Sequence, residues 1–198
     1  MAVTNYTDLQ TTLESYASRS DLSSMVPVFI QLCEADLKRR LKLVNLETAA
    51  TVTLTSGVGT LPTDYVGMRS IYWDDDTDNA LTYVTPDYFD ALRELETGDP
   101  IYYTVTGSSL KVLPMETGSA VMTYQAVLSS LSASNTTNAV ITSYPDAYLQ
   151  GSLKELYHYT RNWLAKKEAN DAYEASIGGI ILDHEAKKFP AGLEVRAR

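Results

Sequence analysis

The stretch from Ser143 to Lys188 constrains the fold more than any other part of this chain. Apolar residues fall at Leu149, Leu153, Leu156 and Trp163, with Tyr157 and Leu164 widening the stripe. That spacing marks one face of a helix. Ser143 is read as its N-cap, Pro145 sits in the first turn where a missing N–H costs nothing, and Asp146 places a carboxylate at the positive helix end. A second periodic run follows at Tyr173, Ile177, Ile180 and Ile181, and Asn170-Asp171 is read as the joint between two helices. Two amphipathic helices in series need an apolar partner, so the rest of the chain must supply one.

Two segments near the N-terminus meet that need. Residues 4–18 read as a helix capped by Thr4 or Asn5, with Leu9, Leu13, Tyr16 and Ala17 on one face. After a turn at Arg19-Ser20-Asp21, a longer helix runs from Leu22 to about Leu43, with Val28, Phe29, Leu32, Ala35, Leu37 and Leu41 expected inside. Lys38, Arg39, Arg40 and Lys42 cluster at its end, as the helix dipole favours or as a binding patch would require.

The period then changes from 3.6 to 2. Residues 47–55, 66–73, 80–84, 101–106, 110–113 and 120–127 alternate with β-branched residues and read as strands. Asp74 to Asn79 is read as the turn that pairs 80–84 back onto 66–73, and Thr85-Pro86-Asp87 opens a short helix to about Leu95. Residues 129–138 are rich in Ser, Asn and Thr and read as a loop, and Pro190 and Gly192 stop any helix after Phe189. The expected fold class is α+β. A helical bundle joins an N-terminal helix pair (1–43) to long C-terminal helices (144–188), with a small antiparallel β-rich lobe (44–143) inserted and an extended tail (189–198).

Charge is distributed unevenly across these segments. Acids and bases balance in 1–43 and in 144–198, whereas 44–143 holds twelve acids against Arg69, Arg93 and Lys111. The formal charge of −9 therefore resides in the middle segment, where it opposes phosphate contacts. Fourteen tyrosines against three phenylalanines suit half-wet interfaces, and equally suit tyrosine-rich strands. Cys33 is the single cysteine, so no internal disulfide is expected, and its place on an apolar helical face marks a buried structural thiol. The N-terminus lacks a signal-peptide pattern, and no run approaches the ~20 apolar residues that span a bilayer. A soluble protein made in a cytoplasm, without membrane contact, is expected.

Catalytic patterns are sparse. Asp74, Asp76 and Asp78 fit the first, third and fifth positions of a calcium loop, but Asn79 stands where glycine belongs and Thr85 where glutamate belongs. Gly57-Val58-Gly59 lacks the third glycine and the following helix of a nucleotide fingerprint. His158 and His184 have no cysteine or carboxylate at ligand spacing. No catalytic residue, metal or cofactor is assigned. A small metal-dependent hydrolase using the acidic turn stands as the enzymatic alternative.

The order of several motifs carries further information. Tyr6-Thr7-Asp8-Leu9, Arg19-Ser20-Asp21-Leu22, Phe29-Ile30 and Glu34-Ala35 come first. Leu61-Pro62-Thr63-Asp64-Tyr65 then leads into Arg69-Ser70-Ile71, Thr104-Val105-Thr106-Gly107 precedes Leu110 and Pro114, and Tyr144-Pro145-Asp146-Ala147-Tyr148-Leu149 opens a long helix. This ordered set, across residues 4–190, resembles the head-to-tail adaptor (connector) proteins of tailed bacteriophages, including the tail tubular protein A type. The Gly178-Gly179 pair departs from that pattern and is expected to break the last helix.

The resemblance implies a non-enzymatic virion protein of the neck. It implies a homo-oligomeric ring, usually dodecameric, beneath the portal protein. Such a ring extends the channel for double-stranded DNA, which passes without specific binding, and offers a surface to tail or nozzle proteins. Another neck or tail-completion protein is the structural alternative. The C-terminal tail would dock on the portal through Phe189, Leu193, Val195, Arg196 and Arg198. Asp74, Asp75, Asp76 and Asp78 would face the tail or the channel, and Tyr157, His158, Arg161, Lys166 and Lys167 would meet neighbouring subunits.

Overall fold

The computed structural model describes residues 2–18, 20–41, 46–74, 76–92 and 98–188. Among them are helices α1 (Tyr6–Ala17), α2 (Val26–Arg40), α3 (Pro86–Ala91), α4 (Ala139–Ser143), α5 (Pro145–Tyr159) and α6 (Trp163–Lys188). The strands are β1 (Glu47–Thr55), β2 (Val58–Thr60), β3 (Tyr65–Trp73), β4 (Asp76–Ala80), β5 (Thr82–Tyr83), β6 (Tyr102–Thr106), β7 (Ser109–Leu113) and β8 (Gly118–Ala126). The protein is thus mixed α+β. It divides into two compact units, one from residues 1–44 with 128–198 and the other from residues 45–127.

In the helical unit, Asn5 caps α1 through its Oδ1, which accepts from the Asp8 N–H at 3.0 Å. The face of α2 turned inward is Val26, Phe29, Ile30, Cys33, Glu34 and Leu37. Val28, Leu32 and Ala35, expected inside, are exposed. The inward face recurs at the i, i+3, i+4, i+7, i+8, i+11 spacing from Val26, which leaves Val28, Leu32 and Ala35 on the opposite side of the helix. Arg39 and Arg40 form ion pairs with Asp36 and Glu174, and Lys38 donates to Ser130 Oγ at 2.6 Å. Arg40 and Lys38 thus tie α2 to α6 and to residues 128–138, whereas Arg39 pairs within its own helix.

The long C-terminal helices differ from expectation at three points. Ser143 does not cap α5. It ends the short α4, whose own cap is Asn138, and Tyr144 joins the two helices directly. The joint lies at Thr160–Asn162, and Asn170 and Asp171 are interior to α6. Trp163 and Leu164 therefore belong to the second helix and are exposed rather than continuing the α5 stripe. Finally, α6 runs unbroken through Gly178 and Gly179. Ala169, Tyr173, Ile177 and Ile180 bury its inward face and offset the weak propensity of the glycines.

The second unit is an eight-stranded sheet in the order β4-β3-β8-β1-β2-β7-β6-β5. Its pairs are antiparallel except β5 with β6. The tight turn between β1 and β2 places Ser56 and Gly57 at φ 50° and 75°, the left-handed conformation a two-residue hairpin needs. Val52, Leu54, Ile71, Trp73, Leu110, Val112, Ala120, Met122 and Tyr124 alternate inward to form one core. Tyr103 of β6 joins the same core as Ile71 of β3, although β8, β1, β2 and β7 lie between those strands. The sheet must curl over its apolar face for this to happen. The expected turn at Asp74–Asn79 is shorter than read, because β4 begins at Asp76 and returns along β3. Residues 82–83 pair in parallel with β6 instead, and Thr82 donates to the Ile101 carbonyl at 2.8 Å. The helix after Thr85 ends at Ala91.

Candidate assembly surface

The helical unit is held by close packing around Gly151 and by a polar network. Gly151 of α5 faces Cys33 of α2 and Tyr173 of α6. A Cβ at that position would lie 2.4 Å from Cys33 Sγ and 2.8 Å from the Tyr173 ring. The missing side chain is what lets three helices meet there. Burial first, and nearby Glu34 and Asp36 as well, push the Cys33 thiol up to about 12, so it is an inert packing group.

Beside it, Arg40 grips Glu174 through two bonds of 2.8 and 2.6 Å, and Tyr173 donates to Asp36 Oδ2 at 2.9 Å. Lys154 lies 4.6 Å from the Tyr173 ring centre and 3.9 Å from Asp36. Partial burial works against charge on Asp36. The bonds from Arg39 and Tyr173, with Lys154 and Arg40 nearby, outweigh it and hold the carboxyl below its ordinary value. The Arg40 bonds do the same for Glu174. Buried Glu34 accepts from the Leu131 N–H at 2.6 Å and from the Tyr148 hydroxyl at 3.2 Å. It thereby pins residues 128–138 to α2 and α5.

At the far end of α5 the chain turns through a Schellman motif. The Arg161 N–H donates to the His158 carbonyl at 3.2 Å and the Asn162 N–H to the Tyr157 carbonyl at 3.0 Å. Arg161 takes the left-handed position with φ 57°, where glycine is usual. Asn162 then starts α6, its Oδ1 accepting from the Ala165 N–H at 3.3 Å. The elbow displays Tyr159, Trp163 and Leu164 at 55%, 60% and 72% exposure. A cation lies over the Trp163 ring, and Tyr159 packs against Phe29. Lys166 Nζ lies 3.1 Å from His158 Nδ1 and 5.5 Å from the Trp163 ring centre, and the His158 and Trp163 rings meet at 5.6 Å. Arg161 and Lys167 are exposed. A groove of about 370 Å³ runs beside the elbow, lined by Tyr16, Ala17, Leu156, Tyr157, Thr160, Asn162 and Ala165.

Of the residues assigned to subunit contact from sequence, His158, Arg161, Lys166 and Lys167 thus share this elbow, and half-buried Tyr157 lines its groove. Tyr159, Trp163, Leu164 and Tyr16 were missed as surface residues. Tyr16, Trp163 and Leu164 were placed in helix stripes by their apolar character, and the joint was read at Asn170-Asp171. In the sheet unit Asp74 is exposed at the end of β3, its N–H donating to the Ser119 carbonyl at 3.0 Å. Asp75, the side chains of Asp76 and Asp78, and the tail residues Phe189, Leu193, Val195, Arg196 and Arg198 lie outside the described residues. Among the described residues, no group of three His, Cys, Asp or Glu side chains could hold a metal ion, and no helix is long and apolar enough to cross a membrane.

A rigid helical support with an aromatic and cationic elbow, and a second unit built on a curled acidic sheet, has the makeup of a protein–protein assembly component. The chain belongs to the SU10 adaptor protein family, whose model matches residues 4–196. The phage-adaptor resemblance read from the ordered motifs is the same assignment. No curated protein matches the chain.

Proposed function

We propose that this protein is a structural, non-enzymatic component of a phage neck, between the capsid portal and the tail. The family match across residues 4–196 carries the reading. In this reading the helices of 1–44 and 128–188 act as a bundle, with the sheet unit inserted as a lobe. Copies form a ring, a dodecamer by family resemblance, that extends the DNA channel used in genome ejection. The tail, residues 189–198, docks on the portal, with Phe189, Leu193 and Val195 as anchors and Arg196 and Arg198 at the rim. The acidic segment Asp74, Asp75, Asp76 and Asp78 faces the channel, where like charge keeps DNA moving, or faces a basic tail or nozzle protein. The α5–α6 elbow supplies contacts between neighbouring subunits. The protein is made in the host cytoplasm and incorporated into the virion.

Electron microscopy of particles carrying a tagged copy tests this reading. Density for the tag directly beneath the portal supports it, and density elsewhere in the particle overturns it. A chain lacking 189–198 is expected to fold and to lose portal binding in a pull-down. Portal binding by that truncation would remove the docking role from the tail.

A further inference from the structure

The elbow's rings and cations need a partner that is both aromatic and acidic, and this chain carries such a surface on its other unit. β5 continues β4 after Leu81, whose N–H donates to the Ile71 carbonyl of β3 at 2.9 Å, and it pairs with β6 on its other side. Tyr83 on β5 is 54% exposed. Helix α3 begins three residues later and displays Tyr88 at 56% exposure, flanked by exposed Asp87 and Asp90. Exposed Asp99 and Ile101 lead into β6 beside it. In sequence, Arg93 is the single base of residues 82–101, against Asp87, Asp90, Glu94, Glu96 and Asp99.

We infer that the α5–α6 elbow of one copy docks on the β5–α3 surface of a second copy. Arg161 and Lys167 face Asp87 and Asp90, and Trp163 and Leu164 pack on Tyr83 and Tyr88. The two surfaces are unlike in sign and shape, so the contact is head-to-tail, which generates closed rings or open filaments rather than a two-fold dimer. Charge on both sides sets the register, and the aromatic residues supply the area removed from water. The inference deepens the subunit-contact role of the elbow and rests on the ring reading above.

Charge swapping in the full-length chain tests it, with self-association followed by sedimentation velocity and with recovery of complete particles as a second readout. The variant R161E/K167E, and separately D87K/D90K, is expected to weaken association about tenfold or more, since each places like charges in contact. Combining all four substitutions is expected to restore both readouts, provided circular dichroism shows each variant folded. Single-sided reversals without effect, or a combined variant no better than either alone, would overturn the pairing. So would duplex DNA bound by the elbow in a mobility-shift assay with self-association and particle recovery unchanged. Failure of the swap leaves the imaged position of the protein in the particle as it was, so loss of this contact and loss of the neck assignment are told apart.

Discussion

Gly151 shows what a single residue decides here. Its space is occupied by Cys33 Sγ and the Tyr173 ring, so Gly151→Ala forces α2 or α6 outward. Overpacking of this kind costs about 1–3 kcal/mol, and a lowered midpoint in urea unfolding of that variant checks it. Arg161 gives the opposite sign. It holds a left-handed φ of 57° that glycine adopts without strain, so Arg161→Gly is expected to stabilise the fold by about 1 kcal/mol in the same measurement. It would also weaken the inferred contact, because it removes a cation from the elbow. Neither role could be read from the string of residues. Gly151 sits in an unremarkable helical stretch, and a Schellman turn with arginine in the glycine position has no sequence signature.

At the scale of elements, α6 is longer than its composition suggests. A Cβ at Gly178 or Gly179 would meet nothing within 4 Å. Each Gly→Ala change is therefore expected to stabilise the protein by about 0.8–1 kcal/mol, measured by thermal unfolding. Association unchanged in these variants would agree with contacts made elsewhere on the helix. The ion network between α2, α5 and α6 predicts acid sensitivity. Asp36 and Glu174 have carboxyls held below their ordinary values in the folded chain. Their stabilisation is fully present above the unfolded carboxylate range, about pH 4, and is lost as pH falls through the depressed folded values. A chain with Arg40→Met is expected to show a shallower loss of stability below about pH 4 than the parent. Parallel curves would remove the network from the acid response. Most helices and strands were legible because burial imposes period on the sequence, but β4 lies in a segment read as a turn. The joint was not legible, since Trp163 and Leu164 keep the apolar period of α5 while lying across the turn on a different, exposed surface.

For the whole molecule, the two units differ in how the chain builds them. The sheet unit is continuous from 45 to 127, and its first and last strands pair with each other, Glu47 opposite Gln125. It also has a core of its own. An excised 45–127 fragment is expected to fold with a cooperative thermal transition. Residues 1–44 alone are expected to remain unfolded, because Cys33 and Glu34 of α2 find their partners on α5 and in residues 128–138. Far-UV circular dichroism of the two fragments checks both outcomes.

The sequence alone determined the mixed α+β class, the position of the acidic segment and the family resemblance. These depend on period, charge and motif order, which are properties of the chain in one dimension. The inward face of α2, the true elbow at Thr160–Asn162 and the exposure of Trp163 were decided only in three dimensions. So was the exposure of Tyr83 and Tyr88 on the sheet unit. An apolar side chain reads the same in sequence whether it fills a core or waits on a surface. Only the packing of the other elements, here α2 against α5 and α6 and β5 against β6, determines which apolar groups remain in water.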